Sequence, residues 1–164
     1  MQKIRHIIGD TYRQHRYLLD ALCFTEAEKH QFTKVMNCEM DDVTAQDALK
    51  NLSYYLHHYW RKRTILLLDE YDTPMQEAYV HGYWNEFINF IRGLFNSALK
   101  TNPYLERAVM TGITRVSKES VFSDLNNLKV ITITSEEYAD CFGFTEEEVF
   151  AALNRLGWRI KRQM

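Results

Sequence analysis

The segment T-I-L-L-L-D-E-Y-D, from Thr64 to Asp72, places carboxylates directly after a short aliphatic run. Parallel sheets of α/β proteins bind ligands beyond the carboxyl ends of their strands. An aspartate at such an end can hold Mg²⁺, usually through water, because this hard cation prefers oxygen ligands. A neighbouring glutamate can orient and deprotonate a water molecule. The spacing therefore predicts a phosphoryl-transfer site in which Asp69 holds the metal and Glu70 is the catalytic residue, with Asp72 as a second candidate metal ligand. The simpler alternative is that these acids only end the strand, since aspartate is also common at the start of a helix.

The next aliphatic run, A-V-M at residues 108–110, also ends in polar residues. It is followed by T-G-I-T-R at residues 111–115. Hydroxyl and guanidinium groups stabilise the charge that develops during phosphoryl transfer. We therefore interpret Thr111, Thr114 and Arg115 as candidate nucleotide ligands. A plain strand-to-loop turn at Thr111 and a solvated surface charge at Arg115 are the simpler alternatives.

These residues need strands to position them, and the hydrophobic pattern predicts strands that alternate with amphipathic helices. The strands are predicted over residues 64–69, 107–112 and 129–133. The first is a solid apolar run, which is typical of a parallel strand covered on both faces. Helical spacing and capping-box sequences at Thr25 and Thr145 predict helices over residues 1–22, 25–35, 44–61, 83–99 and 145–157. This order of elements predicts an α/β fold with a parallel sheet.

Composition bounds the function classes. The 164 residues carry 20 basic and 22 acidic side chains, a net charge of −2, so bulk charge does not indicate a nucleic-acid partner. The run from Arg61 to Arg63 is a local cluster of cations, for which a solvated helix end is the simpler interpretation.

Cysteine usage and hydropathy bound the compartment. The three cysteines are far apart and include no C-x-x-C pair, which argues against disulfides or a zinc site. No apolar run approaches the roughly 20 residues of a membrane span, and no signal peptide is evident. We therefore expect a soluble protein of the cytoplasm with no membrane partner.

Four motifs resemble the predicted AAA-ATPase-like family of bacteria. They are L-L-L-D-E-Y-D-T-P at residues 66–74, T-G-I-T-R-V-S-K-E-S-V-F-S at 111–123, L-N-N-L-K-V at 125–130 and F-G-F-T-E-E-E-V at 142–149. The resemblance implies a P-loop NTPase fold of three layers, with ATP and Mg²⁺ as ligands. It also implies that Asp69 and Glu70 form the Walker B pair. Members of this family often carry a C-terminal nuclease-like domain of the PD-(D/E)XK type.

The sequence departs from this family because it lacks the phosphate-binding loop G-x-x-x-x-G-K-[ST]. In that loop, backbone amides cradle the phosphates and the lysine reaches the β- and γ-phosphates. None of the six glycines is followed by lysine. No lysine has an acidic residue two positions before it, so the nuclease motif is missing as well. We therefore expect residues 1–164 to be a single partial domain, helical to residue 62 and running from Walker B to a C-terminal helix from residue 63, with the P-loop strand missing.

The resemblance also implies a strand order. The first and second predicted strands should be neighbours, whereas the missing P-loop strand belongs between the second and the third. We therefore expect the third strand either to stand about 10 Å from the second, two strand spacings, or to pair with it directly. Either arrangement leaves backbone edges exposed, which favours self-association.

Two functional hypotheses follow. The first is a fragment of an ATP-binding and ATP-hydrolysing P-loop domain that is inactive alone. The alternative is a non-catalytic binding or regulatory module, a pseudo-ATPase, which associates through strand edges or through aromatic residues around Tyr83, Trp84 and Phe87. The helical spacing of these aromatics also suits core packing. A metal-dependent hydrolase is disfavoured because His57 and His58 are adjacent on a predicted helix and point to different faces.

Overall fold

The computed structural model describes residues 2–113, 122, 125, 128–132, 134–139, 141 and 143–158. The chain divides into two compact units, Met1–Asn126 and Asn127–Met164. That residues 1–164 form a single partial domain stays a prediction. Within the described residues, no helix has the length and apolar character needed to cross a membrane.

Helices dominate the first unit, and two strands interrupt them. Its elements are α1 (Gln2–Gln14), a 3-10 helix (Arg16–Asp20), α2 (Glu26–Met36), α3 (Asp42–Trp60), β1 (Thr64–Leu68), α4 (Thr73–Val80), α5 (Trp84–Phe95), a π-helical turn (Asn96–Lys100) and β2 (Leu105–Met110). The described part of the second unit contains α6 (Glu146–Arg155).

Both predicted capping boxes are present and set the starts of two helices. The Glu28 amide donates to the Thr25 hydroxyl at 3.3 Å, and the Thr25 amide donates to the Glu28 carboxylate at 2.7 Å. Thr145 and Glu148 repeat this arrangement at the start of α6. After α6, Gly157 has a φ of 75°, the left-handed conformation that favours glycine beyond a helix end.

Other helix boundaries differ from the predicted ones. The predicted helix over residues 1–22 stops at Gln14 and continues as the 3-10 helix, at the place where polar residues interrupt the apolar stripe. The predicted helix over residues 83–99 changes to π geometry at Asn96. Helix α4 was not predicted, because it spans only 8 residues and has no strong periodicity. Pro74 lies in its first turn, where the missing amide hydrogen costs nothing.

The two strands form a parallel sheet, as predicted for an α/β fold. β1 pairs with β2, with Leu66 opposite Ala108 and Leu68 opposite Met110. The predicted neighbour relation of the first two strands is therefore confirmed. The strands end at Leu68 and Met110, so Asp69 and Thr111 are the first residues beyond them.

The third predicted strand, residues 129–133, is wrong over its described residues. Residues 128–132 are not in a strand, and residue 133 lies outside the described residues. Val130 and Ile131 are exposed, and the Ser135 amide donates to the Thr132 carbonyl at 2.9 Å in a local turn. A short apolar run predicts a strand only if a neighbouring strand takes its backbone hydrogen bonds, and none does so for the described residues here.

The sheet is buried on one face, so the prediction that the first strand is covered on both faces is wrong. Leu66 and Leu68 are partly buried, whereas Ile65 is 60% exposed and Leu67 is 75% exposed. Val109, which pairs with Leu67, is also exposed. Alternating burial follows from the period of two in a strand, but a run made only of aliphatic residues conceals it.

The core of the first unit lies between α1, α2, α3, α4 and α5. The Tyr12 hydroxyl donates to the Ala48 carbonyl at 2.7 Å, and burial raises the pKa of Tyr12. Phe87 is buried, and Tyr83 and Trp84 pack against the core while half-buried. These three aromatic residues therefore pack in or against the core, in agreement with their helical spacing.

Candidate functional site

The ends of β1 and β2 are joined by backbone hydrogen bonds beyond the strands themselves. The Thr111 amide donates to the Leu68 carbonyl at 2.9 Å, and the Tyr71 amide donates to the Thr111 carbonyl at 3.1 Å. Thr111 is thereby held against the segment that follows β1. The carboxyl ends of the two parallel strands form one polar edge.

Asp69 and Thr111 meet at this edge through their side chains. The Thr111 hydroxyl donates to Asp69 Oδ1, and the Glu70 amide donates to the same oxygen at 3.0 Å. No described residue donates to Oδ2 of Asp69. Both side chains are exposed, so the carboxylate is held in place while it remains accessible to a ligand.

Glu70 turns the chain from β1 towards α4. Its φ of 51° lies in the left-handed region, which costs a residue with a Cβ about 1 to 2 kcal/mol. The Glu70 carbonyl accepts from the Thr73 amide at 3.1 Å, and its amide binds the Asp69 carboxylate. Surrounding hydrogen bonds maintain the strained conformation, and the Glu70 side chain is left exposed beside Asp69.

Asp72 occupies a different environment from the other two carboxylates. It is 1% exposed and precedes α4, where its carbonyl accepts from the Gln76 amide at 2.9 Å. Gln76 Nε2 donates to Asp72 Oδ2 at 3.1 Å. A Cβ on Gly112 would lie 2.6 Å from Asp72 Oδ1, so the carboxylate packs directly against that glycine. Its burial favours a role in joining the two strand ends, and metal binding by Asp72 stays a prediction.

Sequence reasoning missed Gly112 as a site residue. The signal was present, because a glycine directly after a strand often marks the close approach of another group. Only glycine fits between β2 and the Asp72 carboxylate. Thr114 and Arg115, the other predicted nucleotide ligands, lie outside the described residues.

The donor chemistry of the edge suits Mg²⁺ bound together with a nucleotide. Among the described residues, no group of three or more His, Cys, Asp or Glu side chains is arranged to hold a metal ion. Mg²⁺ usually retains several waters and takes one or two carboxylates together with phosphate oxygens. The Asp69 carboxylate and the Thr111 hydroxyl are oxygen donors of the required kind, so the residues fit this ion.

Comparison with known proteins gives a family match that includes the residues of this edge. The family described as "Predicted AAA-ATPase" matches residues 5–122, which include both strand ends. A protein of Azotobacter chroococcum mcd 1, "Uncharacterized protein in vnfD 5'region", is 33% identical over 91 residues. That match covers 55% of this chain and 17% of the Azotobacter protein, so the chain spans a small part of that relative. No solved structure matches at a significant level. On the family match, which covers most of its length, the chain belongs to the predicted AAA-ATPase family.

Proposed function

We propose that this chain supplies the metal-holding and water-orienting part of an ATP-hydrolysing P-loop domain. The observation that carries the proposal is the hydrogen bond from Thr111 to Asp69 at the carboxyl ends of two adjacent parallel strands. Ligands of parallel sheets bind at this end. Membership of the predicted AAA-ATPase family supports the same reaction class.

Each residue of the edge has a distinct role in this proposal. Asp69 would hold Mg²⁺, and the hydrogen bond from Thr111 fixes the Asp69 carboxylate. Glu70 would accept a proton from the water molecule that attacks the terminal phosphate, while the bond from that phosphorus to the bridging oxygen breaks and ADP leaves. When bound, Mg²⁺ stabilises negative charge on the phosphate oxygens. Thr114 and Arg115 contribute further phosphate contacts in this proposal, and a cytoplasmic location would suit ATP as the substrate.

The metal part of the proposal can be tested with Mn²⁺, a paramagnetic substitute for Mg²⁺. We expect substoichiometric Mn²⁺ to broaden the amide NMR signals of Asp69, Glu70 and Thr111 before others. Asp69→Asn should weaken Mn²⁺ binding at least about ten-fold, equivalent to about 1.4 kcal/mol. Glu70→Gln should bind Mn²⁺ as tightly as the unmodified chain, because Glu70 is proposed to accept a proton from water and not to hold the metal. Asp20→Asn removes another exposed carboxylate as a matched control.

The metal assignment would be contradicted if the Asp69 amide signal is not among the first to broaden. It would also be contradicted if Asp20→Asn reduces the broadening as much as Asp69→Asn does. Either result would favour the second candidate, a non-catalytic binding or regulatory module. The observation in favour of the module is the apolar sheet face that carries Ile65, Leu67 and Val109 at the surface. Such a face, or the edges of the sheet, would mediate self-association.

The nucleotide part of the proposal predicts weak binding by this sequence alone. Without G-x-x-x-x-G-K-[ST], no lysine and no amide cradle hold the β- and γ-phosphates. We expect titration with a fluorescent ATP analogue and Mg²⁺ to give a Kd weaker than about 1 mM, a binding free energy of about 4 kcal/mol or less. A Kd in the micromolar range would show that another part of the chain binds the phosphates.

A further inference from the structure

Three exposed aromatic rings cluster where α3 ends, directly before β1. Tyr17 belongs to the 3-10 helix, and Tyr59 and Trp60 are the last residues of α3. We call these three residues the aromatic patch. Trp60 is 59% exposed, and its Nε1–H donates to the Tyr17 hydroxyl at 3.1 Å. A tryptophan this exposed contributes little to the core, whereas Tyr17 and Tyr59 are 37% and 41% exposed and support it from the sides.

The rings of the aromatic patch meet edge to face. The centroids of Tyr17 and Tyr59 are 5.4 Å apart, those of Tyr59 and Trp60 are 4.9 Å apart, and the interplanar angles are 63° and 77°. In an edge-to-face pair the edge of one ring meets one face of the other, so these contacts hold the rings in fixed orientations. The surface available for another flat group is mainly that of the Trp60 ring, which is 59% exposed.

Cations flank the aromatic patch on both sides in sequence. Arg16 precedes Tyr17, and Arg61, Lys62 and Arg63 follow Trp60, all of them exposed. Arg63 forms a loose ion pair with Glu106, at 3.8 Å. In the part of the chain that the structure describes, no carboxylate forms an ion pair with the other three cations. The patch is therefore locally positive although the whole chain has a net charge of −2.

Arg61 ends α3 in a left-handed conformation, and its amide donates to the His57 carbonyl at 2.8 Å. Arg61 has a φ of 56°, the left-handed conformation that usually carries glycine at the end of a helix. Arginine at this position is strained in comparison with glycine. This conformation places the cation of Arg61 directly after Trp60 in sequence.

We propose that the aromatic patch and its flanking cations bind single-stranded nucleic acid. Aromatic rings stack on unpaired bases with little sequence preference, while neighbouring cations bind the phosphates. Duplex bases are stacked on one another and cannot reach these rings. β1, with 5 residues or about 17 Å of strand, lies between the patch and Asp69. A bound strand would therefore leave the carboxyl edge of the sheet open.

The proposal predicts binding that depends on both rings and cations. We expect fluorescence anisotropy to show the 164-residue chain binding a labelled 20-nucleotide oligothymidylate at low salt. Trp60→Ala should weaken binding about ten-fold through lost stacking, and Trp60→Phe should restore most of it. Lys62→Gln should reduce the slope of log affinity against log salt by about 0.7, the loss of one phosphate contact.

Two matched variants control for general effects. Trp158→Ala removes another exposed tryptophan, and Lys34→Gln removes another exposed cation. Both should bind the oligonucleotide like the unmodified chain, and circular dichroism should show that every variant is folded. If Trp60→Ala does not fold, the proposal is tested by the slope of log affinity against log salt. This slope should be smaller for Lys62→Gln than for Lys34→Gln, and equal slopes would contradict the proposal.

Several results would overturn the proposal. The first is that the chain does not bind the oligothymidylate at low salt, and the second is that it binds a duplex of the same length equally or more tightly. The third is that the control variants lose as much affinity as Trp60→Ala and Lys62→Gln. The fourth is that polyglutamate competes for the chain as well as an unlabelled oligothymidylate does. Sedimentation velocity distinguishes a further occupant. A concentration-dependent dimer that Trp60→Ala abolishes would assign the aromatic patch to a second copy of this chain.

Discussion

Replacing Gly112 with alanine is expected to lower the free energy of unfolding by about 2 to 3 kcal/mol, the upper range for overpacking a well-packed site. The added Cβ would lie 2.6 Å from Asp72 Oδ1 and 2.9 Å from Tyr71 Cε1. Asp72 has little room to move because it is buried and hydrogen-bonded to Gln76 at the start of α4. Urea unfolding followed by circular dichroism would measure the change.

Gly93→Ala is the matched control for this substitution. Its Cβ would also make a contact below 3 Å, but with the end of the Gln46 side chain, which can rotate away. Alanine is favoured over glycine inside a helix by about 1 kcal/mol, so Gly93→Ala in α5 should be close to neutral or stabilising. Equal stability of the two variants would mean that the strand ends pack more loosely than described.

Phe32→Ala is expected to lower the free energy of unfolding by about 3 to 5 kcal/mol, the range for removing a buried phenylalanine. Phe32 is 2% exposed, and its ring centroid lies 4.6 Å from that of Tyr12 and 5.5 Å from that of Tyr55. Removing the ring leaves a cavity between α1, α2 and α3, which these aromatics hold together. Urea unfolding followed by circular dichroism would measure this change in the free energy of unfolding.

Leu22→Ala serves as the control for loss of apolar volume. Leu22 is 100% exposed, so its truncation should change the free energy of unfolding by less than about 0.5 kcal/mol. A loss below about 1 kcal/mol for Phe32→Ala would place its ring outside a tightly packed core, since that is a typical value for any point substitution.

The position of the candidate site could be predicted because the signals for the two strand ends are local in sequence. A solid aliphatic run that ends abruptly in Asp69 locates both a strand and its carboxyl end. Thr111 follows the next such run, and parallel strands bring their carboxyl ends to one edge. The capping boxes at Thr25 and Thr145 were equally clear, because each needs only two residues at a fixed spacing.

The remaining features depend on tertiary packing that a sequence pattern does not encode. Burial of Asp72 follows from the approach of Gly112, which lies 40 positions away along the chain. The one-sided burial of β1 is invisible in a run where every position is aliphatic. Residues 129–133 have the composition of a strand, yet a strand also requires a neighbour, and composition cannot supply one.

The contact between Gly112 and Asp72 connects the start of α4 to the candidate site. Asp72 is the residue that precedes α4, and Thr111 adjoins Gly112 and holds the Asp69 carboxylate. The space between Gly112 and Asp72 admits no Cβ, so a movement of α4 that pushes Asp72 towards Gly112 meets direct contact. We expect such a movement to be transmitted to Thr111 and so to the hydrogen bond that positions the Asp69 carboxylate.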